Sequence, residues 1–113
     1  MAKDPECIFC KIVAGEISTP LLGSNELAVA FRDISPRKPV HILVVPREHH
    51  QNVIELTESS PAELHAVMSL ANEMASEFSN GSFRLTFNTG AEAGQTVFHA
   101  HAHITSISPK AQV

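Results

Sequence analysis

The sequence has 113 residues, of which 43% are hydrophobic and 18% charged, so it suits a single globular domain over residues 1–113. A net charge of −4 argues against nonspecific nucleic-acid binding, which needs a basic surface. No apolar run approaches the roughly 20 residues that span a bilayer, and residues 1–6 lack the apolar stretch of a secretory signal. We therefore expect a cytoplasmic protein with no nucleic-acid or membrane partner.

The first half of the chain predicts a short helix and two strands. Residues 7–14 carry an apolar face at helical spacing. Residues 27–31 form a buried strand that ends before Ser35-Pro36, because proline removes a ladder donor and restricts the residue before it. Residues 41–45 are a second β-rich run, which Pro46 ends.

The second half predicts one long helix between strands, over residues 60–79. Ser60 can cap it, Pro61 suits the first helical position, and Glu63 completes a capping box. Asn80-Gly81 predicts a left-handed end to the helix. Residues 83–87 alternate as a strand does, and a last strand is expected near residues 99–106. Strands on either side of a long helix indicate an α+β domain with a mainly antiparallel sheet.

Three histidines alternate within the last predicted strand, at His99, His101 and His103. Alternate side chains of a strand share one face, roughly 6.5–7 Å apart, so all three imidazoles should point the same way. Such a strand could be a metal site, a phosphate-handling site or an accidental cluster on a solvated edge. The pattern alone favours metal and phosphate equally.

The loop before the triad favours phosphate. Residues 88–96 contain Gly90 and Gly94, which let backbone N–H groups approach an anion closely. Asn88, Gln95 and Thr96 add neutral donors, and neutral donors beside imidazoles suit a phosphate better than a lone metal ion. These residues therefore indicate phosphoryl chemistry.

At this point the sequence resembles the histidine-triad (HIT) superfamily, specifically its nucleotide-binding branch of phosphoramidate hydrolases. The resemblance runs from Cys7 to about Thr105, through five segments in the family's order: residues 7–12, 30–36, 41–46, 88–96 and the triad. It implies an α+β HIT-like fold with a mainly antiparallel sheet of about five strands, one long and one short helix per subunit, and a homodimer. It also implies hydrolysis of an AMP-amine phosphoramidate through a covalent nucleotidyl-histidine, with AMP, GMP or adenosine phosphoramidate as the purine nucleotide bound.

The resemblance assigns roles residue by residue. His101 becomes the nucleophile, and a backbone carbonyl near His99 orients it. Side chains that contact the phosphate or support the nucleophile are His103, Thr96, His41 and Asn88, while Gly94 and Gln95 bring the loop against the phosphate. Asp33 would accept from the ribose hydroxyls, and the base would lie in an apolar slot formed by Phe9, Ile12, Ile17, Phe31 and Ile34.

Simpler interpretations of single residues stay open. Asp33 could be a turn residue, Phe31 and Ile34 could be plain core, and Asn88 could stabilise a strand end. His50 and His65 are interpreted as surface or helix residues without a role.

The spacing of Cys7 and Cys10 is that of half a zinc site. Members of the superfamily with this cysteine pair place zinc on a set that corresponds to Cys7, Cys10, His49 and His99. Four such ligands would close the coordination shell, which marks a structural ion, so the chemistry itself needs no cofactor. His50 is the competing choice for the third ligand, although His49 is the position that aligns with the family, and two reduced, buried cysteines without a metal are the alternative to a zinc site.

Two rival functions remain at this stage. One is a dinucleoside polyphosphate hydrolase from a sister branch of the superfamily with the same nucleophile. The other is a nucleotide-binding regulatory or interaction protein whose hydrolase activity is incidental.

Overall fold

The computed structural model describes residues 4–110. Within them the chain alternates short strands with three α-helices and one 3₁₀ turn. The elements, in chain order, are α1 (Ile8–Val13), β1 (Leu21–Ser24), β2 (Ala28–Arg32), β3 (Val40–Pro46), α2 (Val53–Ser59), α3 (Pro61–Phe78), β4 (Arg84–Phe87), a 3₁₀ turn (Ala91–Ala93) and β5 (Ala102–Ser106).

The five strands form one sheet in the order β1-β2-β3-β5-β4. Every neighbouring pair is antiparallel, so the predicted α+β class and five-stranded antiparallel sheet are confirmed. Hairpin-type pairing of β1 with β2 and of β2 with β3 brings sequence neighbours together, whereas β5 inserts between β3 and β4. The insertion places the triad segment beside β3 in the middle of the sheet.

Strand β3 shows how the sheet separates two cores. Val40, Ile42 and Val44 pack with helix α3, while Leu43 and Val45 pack on the opposite face with α1. This alternation follows from the two-residue period of a strand. All seven β3 residues are buried, because both faces of the central strand are covered.

Helix α3 confirms the predicted long helix, with one correction at each end. The Ser60 side chain accepts the Glu63 N–H at 3.3 Å, as predicted, but the Glu63 carboxylate lies 2.9 Å from His50 Nε2 and does not close a capping box. At the other end Ser79 is extended and its N–H donates to Ala75 O, so the helix ends before the left-handed Gly81. No helix within residues 4–110 has the length and hydropathy of a membrane span.

Three further elements differ from the prediction. Helix α2 was missed because only its Leu56 is buried, so its apolar periodicity is weak, although Asn52 caps it by accepting the Glu55 N–H. Strand β1 was missed because Gly23 interrupts it where β1 passes Met74 of α3, and a Cβ there would lie 2.7 Å from that side chain. Strand β5 begins at Ala102 rather than near residue 99.

Candidate active site

The three triad histidines point to the same side of the sheet, although the first two precede the ladder of β5. The side chains between and after them, Ala100, Ala102 and Ile104, all lie in the core on the α3 side. The His101 and His103 rings are 4.8 Å apart between centroids. The alternation of side chains in β5 therefore continues backwards to His99, as the sequence predicts, although residues 97–99 form a bend outside the ladder.

His101 is oriented by the backbone two residues before it. Its Nδ1 lies 2.8 Å from the carbonyl oxygen of His99, and a carbonyl only accepts, so Nδ1 carries the proton and Nε2 keeps a lone pair. Burial lowers the pKa of His101, while the His99 carbonyl and the charge of Asp33 partly offset that effect. The ring is therefore a neutral imidazole near pH 7.

His103 lies between His101 and His41. Its Nδ1 is 3.1 Å from His41 Nε2, and Asp33 Oδ2 is 3.3 Å from the same His41 atom. His103 Nε2 is buried and has no hydrogen-bond partner among the described residues. Burial, with the neighbouring His101 and His41, lowers the pKa of His103 to about 4.

A cavity of about 250 Å³ opens beside these rings. Its walls come from α1, β2, β3 and the segment before β5, and nine predicted residues line it: Phe9, Ile12, Ile17, Phe31, Asp33, Ile34, Thr96, His101 and His103. Ile34 is 89% exposed, so it forms the rim and is not plain core. The cavity is an apolar slot with polar groups at the histidine end, the usual composition of a small-molecule site.

The same cavity is lined by residues that the sequence interpretation missed. Leu43 pairs with Phe31 on one side and with His103 on the other, so strand alternation from His41 could have identified it. Ile8 and Val97 extend the apolar wall, and Thr19 and Arg32 complete the lining.

The loop over residues 88–96 is held by its own glutamine. Gln95 accepts the Gly90 N–H and donates to the carbonyls of Gln51 and Val97, so its side-chain amide is already paired within the protein. The backbone N–H groups of Gly94 and Gln95 also donate within the loop. Their approach to a phosphate stays a prediction.

Two glycines and an asparagine complete this loop. Gly90 has φ +90° and Gly94 φ +96°, values that favour glycine. A Cβ added to Gly94 would lie 3.6 Å from Asn88 Nδ2, so the loop returns onto Asn88. Asn88 and His41 do not line the slot, whereas Thr96 does.

A second cluster lies on the far side of His99. The sulfurs of Cys7 and Cys10 and one ring nitrogen each of His49 and His99 lie within 4.8 Å of one another, an arrangement that could hold a metal ion. Cys7 Sγ is 3.3 Å and Cys10 Sγ 3.5 Å from His99 Nδ1, and Cys10 Sγ is 3.4 Å from His49 Nδ1. The structure thus brings together all four predicted ligands.

The protonation of this cluster suits a cation. His99 Nε2 donates to the carbonyl of Pro46 at 2.9 Å, so Nδ1 presents its lone pair to the two sulfurs. Burial lowers the pKa of His99 to about 4, which keeps the ring neutral. Burial raises the pKa of the Cys7 thiol to about 11, so the thiolate needs a bound cation at neutral pH.

His50 is buried beside the triad segment, which the sequence interpretation missed. It is 3% exposed, bonds to Glu63, and its carbonyl accepts the Ala100 N–H at 2.7 Å. The expectation of a surface residue is therefore wrong: His50 is buried, and its carbonyl holds the His99–Ala100 peptide, whose own carbonyl orients His101. His65 is exposed on α3, as expected.

An antiparallel sheet with alternating histidines beside an apolar slot, backed by one long helix, is the architecture of the histidine-triad proteins. The chain belongs to the HIT domain family, whose model matches residues 14–109. It is 39% identical to an uncharacterised HIT-like protein of Synechocystis over 96% of this chain and 95% of that protein. It is 33% identical to the purine nucleoside phosphoramidase of Escherichia coli over 92% of this chain and 89% of that enzyme.

Solved structures agree with this assignment. A HIT family hydrolase from Clostridium thermocellum superposes with a TM-score of 0.86 at 38% identity, covering 92% of each chain. A histidine triad protein from Clostridium difficile gives a TM-score of 0.84 at 33% identity, covering 98% of this chain and 96% of that one. The fold that the sequence resemblance implied is therefore confirmed.

Proposed function

We propose that the protein hydrolyses purine nucleotide phosphoramidates, of the AMP-amine type, through a covalent nucleotidyl group on His101. The observation that carries the proposal is the hydrogen bond from His101 Nδ1 to the His99 carbonyl. This hydrogen bond leaves a neutral imidazole whose Nε2 lone pair is beside an apolar slot with polar groups at its histidine end. The relationship to the Escherichia coli purine nucleoside phosphoramidase supports the same activity.

The reaction runs in two displacements. His101 Nε2 attacks the α-phosphorus, a P–N(His) bond forms, and the P–N bond to the amine breaks with its electron pair on the departing nitrogen, which takes up a proton passed on by His103 with the help of Thr96. Water then attacks the same phosphorus and gives its proton back to His103, the P–N(His) bond breaks, and His101 leaves as a neutral imidazole. The His99 carbonyl stabilises the intermediate imidazolium through its bond to Nδ1–H, and splitting one displacement in two is the advantage of covalent catalysis.

The other site residues act around this centre. His103 and Thr96 contact the phosphoryl group, and His41 and Asn88 support the arrangement from behind, with Gly94 and Gln95 shaping the loop. Preorganised donors of this kind are worth about 2.7–4 kcal/mol each in well-studied oxyanion sites. Asp33 accepts from the ribose, and the base lies between the apolar side chains of the slot: Phe9, Ile12, Ile17, Phe31 and Ile34.

Intact mass after a rapid quench tests the nucleophile. Mixed with an adenosine phosphoramidate, the wild-type chain should gain one nucleotidyl group, and His101→Ala should gain none. His65→Ala, on the exposed face of α3, is the matched control and should label as the wild type does. An adduct on His101→Ala would overturn the proposal, and so would turnover by His101→Ala at the wild-type rate.

Turnover of a diadenosine polyphosphate, measured beside the phosphoramidate, separates this activity from its sister activity. Faster turnover of the polyphosphate contradicts the proposal in favour of a dinucleoside polyphosphate hydrolase. Nucleotide binding without turnover of either substrate indicates a regulatory or interaction protein.

We further propose that the metal held by Cys7, Cys10, His49 and His99 is zinc in a structural role. The donor set is two thiolates and two imidazoles, which is a common closed tetrahedral set for that ion. The Pro46 carbonyl accepts from His99 Nε2, and the Asp4 carboxylate lies 4.0 Å from His49 Nε2, so each ring has an oxygen behind the nitrogen that faces away from the sulfurs. The ion ties the segment before α1 to the residue that orients His101.

A homodimer is the remaining proposal about assembly. Strand β4 is an edge of the sheet, and its outer ladder groups are available for pairing. The face of α3 that carries Val67, Leu70 and Met74 is already buried inside the chain, so only its outer face can contribute. Sedimentation at micromolar concentration tests this, and a monomer contradicts it.

A further inference from the structure

Both ring nitrogens of His41 have partners that determine where its proton lies. The backbone N–H of Arg37 donates to His41 Nδ1 at 3.1 Å. A nitrogen that accepts from an N–H cannot carry a proton itself, so the proton of neutral His41 is on Nε2. The two partners of Nε2, Asp33 Oδ2 at 3.3 Å and His103 Nδ1 at 3.1 Å, fit this assignment because a carboxylate only accepts.

The same logic extends one ring further. His41 Nε2–H faces His103 Nδ1, so that atom must present a lone pair and the proton of neutral His103 must be on Nε2. His103 Nε2 is buried and has no hydrogen-bond partner within residues 4–110. A buried N–H without an acceptor is destabilising, and a substrate acceptor would remove that penalty on binding.

We propose that the backbone N–H of Arg37 sets the tautomer of His41 and, through it, makes His103 a hydrogen-bond donor towards the substrate. The inference rests on the proposed function and deepens it. His101 and His103, whose rings are 4.8 Å apart, then present opposite groups to the slot: a lone pair for phosphorus and an N–H for an acceptor. A backbone carbonyl determines the first tautomer and a backbone N–H the second.

This arrangement limits the substrate. The atom that meets His103 must carry a lone pair, so it is a phosphoryl oxygen or the bridging atom of the leaving group in a form that can accept. Arg37 acts only through His41, so it is a positioning residue, and its side chain is not required for the effect. Asp33 contributes as a second acceptor that keeps the proton on His41 Nε2.

Two-dimensional ¹⁵N–¹H spectra of the histidine rings in the full chain test the proposal without a substrate. At neutral pH we expect His103 to be protonated at Nε2 and His101 at Nδ1, with the His103 signals assigned by their loss in His103→Gln. A His103 ring protonated at Nδ1 in the wild type overturns the proposal, whatever any variant does.

A pair of variants tests the role of Arg37 itself. Arg37→Pro deletes the N–H, and we expect His41 and His103 to lose their single tautomers and kcat for the phosphoramidate to fall at least about tenfold, with a smaller change in KM. Arg37→Ala keeps the N–H and should keep both tautomers. Unchanged tautomers in a folded Arg37→Pro protein overturn the inference.

The outcome is separable from that of the proposed function. Wild-type protein that forms the nucleotidyl adduct but has the opposite His103 tautomer contradicts only this inference. Protein with the expected tautomers but no adduct contradicts only the covalent reaction.

Discussion

The first and last histidines of the triad belong to two different clusters, which contain similar residue types. In one, His99 and His49 face the sulfurs of Cys7 and Cys10. In the other, Asp33, His41 and His103 also lie close enough together to hold a metal ion. Residue types alone would allow a metal ion in either cluster.

The backbone group behind each ring distinguishes them. The Pro46 carbonyl accepts a hydrogen bond from the far nitrogen of His99, Nε2, so the lone pair on Nδ1 faces the cluster. His41 has the Arg37 N–H at its far nitrogen, which forces the proton towards the cluster and blocks a ligand position. The polarity of one main-chain group therefore distinguishes His99, whose lone pair faces the sulfurs, from His41, whose N–H faces its neighbours.

The largest expected effect is on the metal. Replacing Cys7 and Cys10 with serine should reduce bound zinc from about one ion per chain to almost none, because hydroxyls are poor ligands, and should lower the free energy of unfolding by more than about 3 kcal/mol. Metal analysis and denaturant unfolding measure both.

The matched control for the metal is His103→Asn, which changes the other cluster and should keep its zinc. Zinc lost from His103→Asn but retained by the cysteine variants would reverse the distinction drawn between the clusters.

The next effect is on catalysis. His103→Ala should reduce kcat for the phosphoramidate by about 10²–10³-fold, or about 2.7–4 kcal/mol, while zinc content stays constant. His103→Gln should recover part of the loss, because its amide supplies an N–H donor. Steady-state kinetics on metal-loaded protein measures both variants, and a glutamine variant no better than alanine contradicts the donor role.

A smaller effect is expected when the pH is lowered. The pKa of His103 falls from 6.5 to about 4 on folding, so the unfolded chain binds more protons over that range. Stability from this group is complete above about pH 6.5 and is lost as the pH falls towards 4.

The size of this pH effect is about 2 kcal/mol, because each pKa unit is worth about 1.4 kcal/mol and partial exposure of His103 reduces the total. Denaturant titrations between pH 7 and pH 4 measure it. His103→Asn should flatten the dependence, and the exposed His65→Asn should not; equal slopes in all three proteins contradict the assignment.

The smallest effect is expected from the contact between His50 and Glu63. Glu63→Gln weakens the 2.9 Å contact to His50, so we expect a loss of about 1 kcal/mol in unfolding free energy with zinc content unchanged. Thermal unfolding and metal analysis measure these, with Glu73→Gln on the exposed face of α3 as control. A loss of zinc in Glu63→Gln would contradict this expectation, because it would show that the Cys7 cluster depends on the contact between His50 and Glu63.

Local chemistry predicted the parts of the fold that depend on neighbouring residues. The cap at Ser60 and the apolar spacing after it predicted α3, and the two-residue period of a strand predicted the common face of the three histidines. Helix α2 has a cap at Asn52 but almost no apolar face, so a method that depends on periodicity passes over it.

The site was predictable where the residue type carries the chemistry and not where long-range packing does. The resemblance named His101 and Asp33, which line the same slot, and four candidate metal ligands, which the structure brings together. The burial of His50 depends on Glu63 in another element, and the use of the Gln95 amide depends on Gln51, 44 positions away. Neither pairing leaves a local signal in the sequence.

His99 combines two tasks in one residue: its ring faces the cysteines, and its carbonyl accepts a hydrogen bond from His101 Nδ1. Moving the His99 ring would therefore also remove the carbonyl that holds His101. A single residue inserted between positions 99 and 101 would separate the two contacts and turn the His101 ring to the other face of the sheet.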